Sequence, residues 1–390
     1  MNLPAQSSRS QPRKPNPAGS KGSTQSAPSQ LIGNFKSRED HGSYSRVIYR
    51  NDLVLVVKEQ HATPLASFTL ILKIPDLQPT AENELLLRVA ALTVFPAIGL
   101  PEAANSESSI YSLGAIPRLM VFPDRIEWTV TFPAENIQKI YPLVAQRLLK
   151  SEPSSGLVTS ILKSLPRTEH QDDRDIEGRE LFILAGYPSA LTVLSESSPD
   201  LLNSLKQFQT RTLQAQQIIV SIVGDFDREK VIQKVGEYFL AIPAGESKKR
   251  ASGASSDSAA ALRYALVPSM DGMAGLDLYF PSKSSPNATH AILASLLANG
   301  EMSFLKHDLI YQRALVSSLS ARSRGINGES FFSLHFSCPP ENLDQATVYL
   351  QARLRQFAGT PPSDDEMVRA RRQFDLTWNL TNQAPSEVSR

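Results

Sequence analysis

One nearly continuous aliphatic run constrains the fold of this 390-residue chain more than any other feature. Residues 217–227 read QIIVSIVGDFD, so five β-branched aliphatic side chains and one serine directly precede Gly224. A short apolar run that ends at a glycine predicts a buried strand. Helical patterns begin at Pro199 before it and cover residues 231–239 after it. The run therefore predicts a sheet that packs against helices.

The chain before this strand predicts an α+β lobe with the order βββαβββα. Residues 45–58 carry two β-branched runs around Asn51 and Asp52, a pattern typical of a hairpin. The other expected strands are 65–74, 109–113, 119–122 and 126–132, and the expected helices are 82–94 and 133–149. We expect Pro142 to kink the second helix.

A second α+β lobe is expected after residues 245–261, which hold only small and charged residues and are interpreted as an interdomain linker. Strands are expected within 263–280 and at 317–322 and 331–337, and helices at 288–297, 303–313 and 342–357. Ser363 and Glu366 predict a capped helix from Asp364. The predicted domains are a disordered tail (1–43), a first lobe (44–244, with halves 44–150 and 151–244), the linker (245–261) and a second lobe (262–390).

Composition excludes several classes of protein. Hydrophobic residues make up 41% of the chain and charged residues 20%, which argues against a disordered or fibrous protein. A net charge of +1 provides no field that would attract nucleic acid. Cys338 is the single cysteine, so no internal disulfide can form. With no apolar run of about 20 residues and no recognisable signal peptide, we expect a soluble protein, in either cytoplasm or periplasm; whether the tail is a targeting segment stays open.

Local motifs for catalysis are absent from the sequence. The six histidines are scattered, and neither H-x-x-E-H nor its reverse occurs. Neither a G-x-S-x-G nucleophile elbow nor a phosphate-binding glycine loop occurs. The one cluster of metal-compatible side chains, residues 169–175, is interpreted as a solvated loop, and His335 as a packing residue with a hydrogen-bond partner.

Three segments resemble the insulinase-like (M16, pitrilysin) metallopeptidase family. Residues 201–243, with VGDFD followed by a helix and AIP, resemble the closing half of a lobe. Residues 51–66 resemble the opening hairpin, and residues 297–315 resemble a stretch of the second lobe. The resemblance implies LuxS/M16-type lobes, each βββαβββα-like with a smaller α/β half. Compared with that pattern the second lobe is incomplete, so the chain could be part of a longer protein.

The resemblance also implies which positions would carry the chemistry. Active members hold zinc with H-x-x-E-H on the first long helix, and the matching positions here are Arg88, Ala91 and Leu92. The further glutamate ligand would fall between Glu152 and Glu169. The arginine and tyrosine that grip substrate in active members correspond to Ile310 and Ser317. We therefore predict no catalytic residue, no substrate-gripping pair, no metal site and no cofactor, zinc being expected only in active relatives.

The resulting hypothesis is a catalytically inactive M16 homologue that serves as a partner or scaffold subunit of a peptide-enclosing clamshell. One alternative is a subunit of a zinc peptidase heterodimer whose metal comes from the partner, and another is a stand-alone peptide-binding module. The expected partners are an active M16 subunit or a second copy, together with extended peptides, and neither nucleic acid nor a membrane. The apolar stripe on helix 342–357 is either an interface or packed on its own sheet.

Overall fold

A computed structural model describes residues 34–74, 77–95, 110–165, 181–182, 185–187, 199–245, 263–265, 272–282, 287–326 and 329–389. Strands are β1 Phe35–His41, β2 Tyr44–Tyr49, β3 Val54–Glu59, β4 Leu65–Lys73, β5 Ile116–Val121, β6 Arg125–Pro133, β7 Ile218–Gly224, β8 Arg263–Ala265, β9 Ala274–Ser282, β10 Ser318–Ile326 and β11 Glu329–Cys338. They form a seven-stranded and a four-stranded sheet.

The helices fall between and after these strands. They are α1 Ala81–Val94, α2 Ile137–Lys150, α3 Ser155–Ser164, α4 Pro199–Thr212, α5 Arg228–Phe239, α6 Ala288–Ala294, α7 Phe304–Lys306, α8 Leu343–Gly359, α9 Asp364–Gln383 and α10 Pro385–Ser389. Helix α6 continues as a π-helix over Ser295–Asn299, and α7 continues as one over His307–Gln312. Short 3-10 turns cover Ala134–Asn136, Ala215–Gln217 and Pro340–Asn342. The architecture is α+β, as the sequence predicts.

Strand β7 occupies the middle of the first sheet, whose order is β1-β2-β3-β7-β4-β6-β5. It runs parallel to β3 and antiparallel to β4, so Ile222 lies opposite Val57 on one side and Phe68 on the other. A central strand needs apolar side chains because its neighbours and the covering helices exclude water. The aliphatic run before Gly224 therefore forms the centre of the sheet.

Gly224 ends this central strand because no side chain fits there. Its φ angle is +151°, and a Cβ atom would lie 2.5 Å from the Cα of Ala66 and 2.5 Å from the carbonyl oxygen of Leu65. Contacts that short would require the backbones of β4 and β7 to separate. Only glycine allows this close approach of two strands.

The two faces of the first sheet differ in chemistry. On β4, Phe68 and Leu70 point into the main apolar core, while Ser67 and Thr69 lie on the opposite face. Helix α10 covers this second face, with the Oγ of Ser389 2.8 Å from Thr69 Oγ1 and 3.0 Å from Ser67 Oγ. The polar face is therefore buried through hydroxyl hydrogen bonds rather than through apolar packing.

The second sheet, in the order β10-β11-β9-β8, has a separate apolar core. Helix α8 contributes Ala346 and Leu350, both fully buried. The other members of the apolar stripe, Leu343, Leu354 and Phe357, are partly buried against the same core. The stripe thus packs on its own sheet, and the hypothesis that it forms an interface is wrong.

The structure corrects the expected elements at three places. Residues 35–41, assigned to the tail, form β1, because polar pairs such as Arg38 with Glu229 (2.7 Å from Nη1 to Oε2) hold a strand that has few apolar residues. Residues 110–114 form a helical turn, not a strand, with the Leu113 amide donating to the Ile110 carbonyl at 3.0 Å. Helix α3 was not predicted. The rest of the tail (1–33), the linker from 246 onwards and residues 169–175 lie outside the described residues.

Candidate functional site

Helix α1 carries Arg88, Ala91 and Leu92, the three positions that the family resemblance predicts as counterparts of the zinc ligands. Thr80 caps its first turn, accepting a hydrogen bond from the Asn83 amide at 3.3 Å. The helix is buried on most sides, so ionisable groups on it lie in the protein interior. Arg88, Ala91 and Leu92 therefore lie in an apolar environment that excludes most water.

Arg88 pairs with Glu84 one turn earlier on the same helix. Its Nε and Nη2 atoms both lie 3.1 Å from Glu84 Oε1, and only 7% of Arg88 and 1% of Glu84 are exposed. The guanidinium also stacks 5.5 Å from the centroid of the Phe182 ring. A buried charge needs a partner of opposite sign, and the pair satisfies that requirement within α1.

Phe182 and Tyr187 lie beside this ion pair. Phe182 and Tyr187 pack edge to face with their ring centroids 5.0 Å apart, and both are buried. Burial, followed by the negative charge of Glu84, raises the pKa of Tyr187 to about 12. The phenol therefore stays neutral at physiological pH.

Ala91 and Leu92 complete an apolar stretch of α1. Ala91 is fully buried in the main core, and Leu92 is half-buried against it. Neither side chain has an atom that can bind a metal, and the guanidinium of Arg88 has no lone pair to offer. Zinc in this family needs two imidazoles and a carboxylate, so the residues present do not fit the ion.

The further glutamate ligand has no counterpart among the described residues. Glu152 is exposed, and Glu169 lies outside the described residues. Within the part of the chain that the structure describes, no group of three or more His, Cys, Asp or Glu residues is arranged to hold a metal. His335 makes a hydrogen bond of 2.9 Å to Asp277 across β11 and β9, consistent with the structural role expected for it.

Ile310 and Ser317 lie beside the second sheet, apart from α1 in the chain. Ile310 belongs to the π-helix at His307–Gln312 and is half-buried against the second core. Ser317 is exposed, and its backbone amide donates to the Ser337 carbonyl at 2.7 Å. Neither residue offers the cationic or phenolic group that the family resemblance predicts at a substrate-gripping position.

Sequence reasoning missed the buried acid that organises this region. Asp308 is 7% exposed and accepts a hydrogen bond of 2.6 Å from the Tyr349 hydroxyl at Oδ2, and Arg353 Nε lies 2.8 Å from the same oxygen. Arg313 stacks over the Tyr349 ring at 4.1 Å. An acid in an unremarkable helical pattern gives no signal for such a network, which joins residues more than 40 positions apart.

Comparison with known proteins shows what part of the chain is similar to. Residues 200–374 match the family model described as the peptidase M16 inactive domain. No curated protein matches the chain significantly. None of the described helices is long and apolar enough to cross a membrane.

Three solved structures share the fold. A protease from Helicobacter pylori has a TM-score of 0.65 at 15% identity, with 88% of this chain and 87% of that one covered. The peptidase M16 inactive domain from Pseudomonas fluorescens has a TM-score of 0.65 at 13% identity, with 85% and 83% covered. The periplasmic protease PqqL from Escherichia coli has a TM-score of 0.61 at 14% identity, and the match covers 91% of this chain but 41% of PqqL. Residues 200–374 thus resemble the M16 inactive domain, and the chain has the fold of M16 peptidases but lacks the H-x-x-E-H sequence.

Proposed function

We propose that this protein is a non-catalytic M16 subunit that acts as a partner or scaffold for a peptide-binding assembly. The observation that carries the proposal is the buried ion pair between Arg88 and Glu84 on α1. It occupies the helix on which active relatives place their zinc ligands. The guanidinium of Arg88 is already paired at this position, and its positive charge would repel a zinc ion.

The surroundings of the pair support the same proposal. Ala91 adds no functional group, and Phe182 closes the region with an aromatic ring. A zinc hydrolase needs an open coordination position and a water that a carboxylate can activate. An apolar, enclosed stretch of helix offers neither, whereas it suits a subunit that retains the fold for its shape.

The first test is chemical. We expect the purified protein to bind no stoichiometric zinc by elemental analysis and to hydrolyse no unstructured peptide. The triple substitution Arg88→His, Ala91→Glu and Leu92→His should still give no strong activity, since Ile310 and Ser317 leave a substrate ungripped. One tightly held zinc per wild-type chain would contradict the proposal.

The second test concerns association. An M16 peptidase that carries H-x-x-E-H, encoded in the same genome, is co-expressed with this chain, and the mass of the product is measured by light scattering after size exclusion. We expect a stoichiometric complex in which the partner alone binds zinc. If this chain elutes separately from every such peptidase of the genome, the partner role is contradicted.

Strand β5 supports a second candidate, a peptide-binding module. It lies at the edge of the first sheet, and Ile116 at its start is 73% exposed. An edge strand presents unpaired backbone groups to which an extended peptide can add. Hydrogen exchange of the protein with an unstructured peptide tests this: protection confined to residues 116–121 would favour binding at the edge, whereas unchanged exchange there would exclude it.

A further inference from the structure

We infer that the second lobe contains a binding groove for the C-terminal end of a peptide whose last residue is apolar. The groove has a volume of about 340 Å³ and lies between α9 and the segment from Ser295 to Phe304. That volume is at the lower end of the range for ligand pockets and suits one or two amino-acid residues. The inference does not depend on the proposed function, because none of the residues discussed there lines this groove.

The walls of the groove are largely apolar. Leu296 and Phe304 contribute buried and partly buried surface on one side, and Ala370 on the other. Met302 and Leu376 stand at the groove with 61% and 54% of their surface exposed. Exposed apolar side chains beside a concave apolar surface mark a place where a ligand removes them from water.

The hydroxyl group of Ser303 is buried without a hydrogen bond to any described residue. The residue is 5% exposed and lines the groove, and its Oγ atom has no partner among the described residues. A buried hydroxyl without a partner costs free energy that a bound polar group would recover. A peptide backbone amide can supply that group, whereas an alkyl chain cannot.

The charges at the groove favour a carboxylate. Arg369 and Arg372 both line it from α9, three positions apart and therefore on one face of the helix. Two acids also line it, but each is already engaged: Glu301 accepts from Lys306 Nζ at 2.7 Å and from the Tyr311 hydroxyl, and Glu366 accepts from the Ser363 amide at 2.8 Å.

Lys306 compensates the charge of Glu301 and Arg369 compensates that of Glu366, which leaves the charge of Arg372. Arg369 faces Glu366 electrostatically, and no ion pair involves Arg372 within the described ranges. Arginine binds carboxylates through two parallel hydrogen bonds, so it is suited to a terminal carboxylate. The arrangement places a carboxylate at Arg372 and Arg369, a backbone amide at Ser303 and an apolar side chain against Leu296.

The test measures the fluorescence anisotropy of a fluorescein-labelled hexapeptide that ends in leucine-phenylalanine with a free carboxylate. The same peptide with a C-terminal amide is the ligand control. We expect the amide to bind about tenfold more weakly, since it loses the charge-assisted bonds. Equal affinity of acid and amide, or no saturable binding of the acid at about 1 mM, would overturn the inference.

Matched variants locate the site. Arg372→Gln and Arg369→Gln should each weaken binding about tenfold, whereas Arg371→Gln, an adjacent exposed arginine that does not line the groove, should leave it unchanged. Ser303→Ala should weaken binding by a smaller factor. Dodecanoate tests the other source of a carboxylate on an apolar body: if it binds more tightly than the peptide and displaces it, the occupant is an alkyl carboxylate and the peptide inference is wrong.

Discussion

The guanidinium of Arg88 lies 3.1 Å from the carboxylate of Glu84, one turn away on a helix that is buried against the first sheet. The pair places two opposite charges in the protein interior, where each depends on the other. Removing one member of a buried pair costs much more than replacing both, because the remaining charge stays in a medium that solvates it poorly.

Substitution of the pair tests this directly. Arg88→Met withdraws the cation from a carboxylate that is 1% exposed, so we expect a loss of about 3–5 kcal/mol in the free energy of unfolding. The double variant Arg88→Met with Glu84→Leu should recover most of the loss. Urea denaturation measures the free energy of unfolding of both variants. As a control, Lys234→Ala breaks an exposed pair with Glu237 and should cost no more than about 0.5 kcal/mol. Equal effects of Arg88→Met and the control would contradict the structural role.

Gly224 should tolerate no side chain. Gly224→Ala places a Cβ atom 2.5 Å from backbone atoms of β4, so we expect a loss of more than about 3 kcal/mol or failure to fold. Gly359 at the end of α8 is the matched control, since an added Cβ meets nothing within 4 Å there. Gly359→Ala should leave the thermal midpoint unchanged or raise it slightly. A Gly224→Ala variant with the wild-type midpoint would show that the strands pack less tightly than described.

Helix α8 offers a matched pair of positions for testing its packing. Leu350 is fully buried in the second core, whereas Val348 is 68% exposed. We expect Leu350→Asp to abolish folding, because the new carboxylate would be buried without a partner. Val348→Asp should change the free energy of unfolding by less than about 0.5 kcal/mol. Circular dichroism during heating distinguishes the two, and a folded Leu350→Asp variant with a lower oligomeric mass would restore the interface hypothesis.

The raised pKa of Tyr187 predicts a loss of stability at alkaline pH. Burial and the charge of Glu84 raise the pKa of its phenol from 10.0 to about 12 in the folded protein. The neutral phenol therefore contributes fully to the free energy of unfolding below pH 10, and this contribution is lost as the pH rises from 10 towards 12. Denaturation across that window should show a smaller decline for Tyr187→Phe than for the wild type. Tyr44→Phe, at an exposed position, should follow the wild type.

Several local elements were predictable from the sequence. The apolar run that ends at Gly224, the hairpin around Asn51 and the capping box of Ser363 with Glu366 are local patterns, and the structure confirms each of them. The absence of H-x-x-E-H is a property of the sequence itself. The assignment of Arg88, Ala91 and Leu92 to the zinc positions and the domain boundaries stay predictions.

Tertiary structure decided the relationships between residues that are distant in the chain. The sequence does not show that β7 lies between β3 and β4, that Ser389 bonds to Thr69, or that Phe182 covers Arg88. Strand β1 escaped prediction for the same reason, since its polar residues gain partners only when β2 and Glu229 are in place. The periodicity of apolar residues indicates which side chains become buried. Which strands and side chains pair with each other depends on contacts between distant segments, and these form only when the whole chain packs.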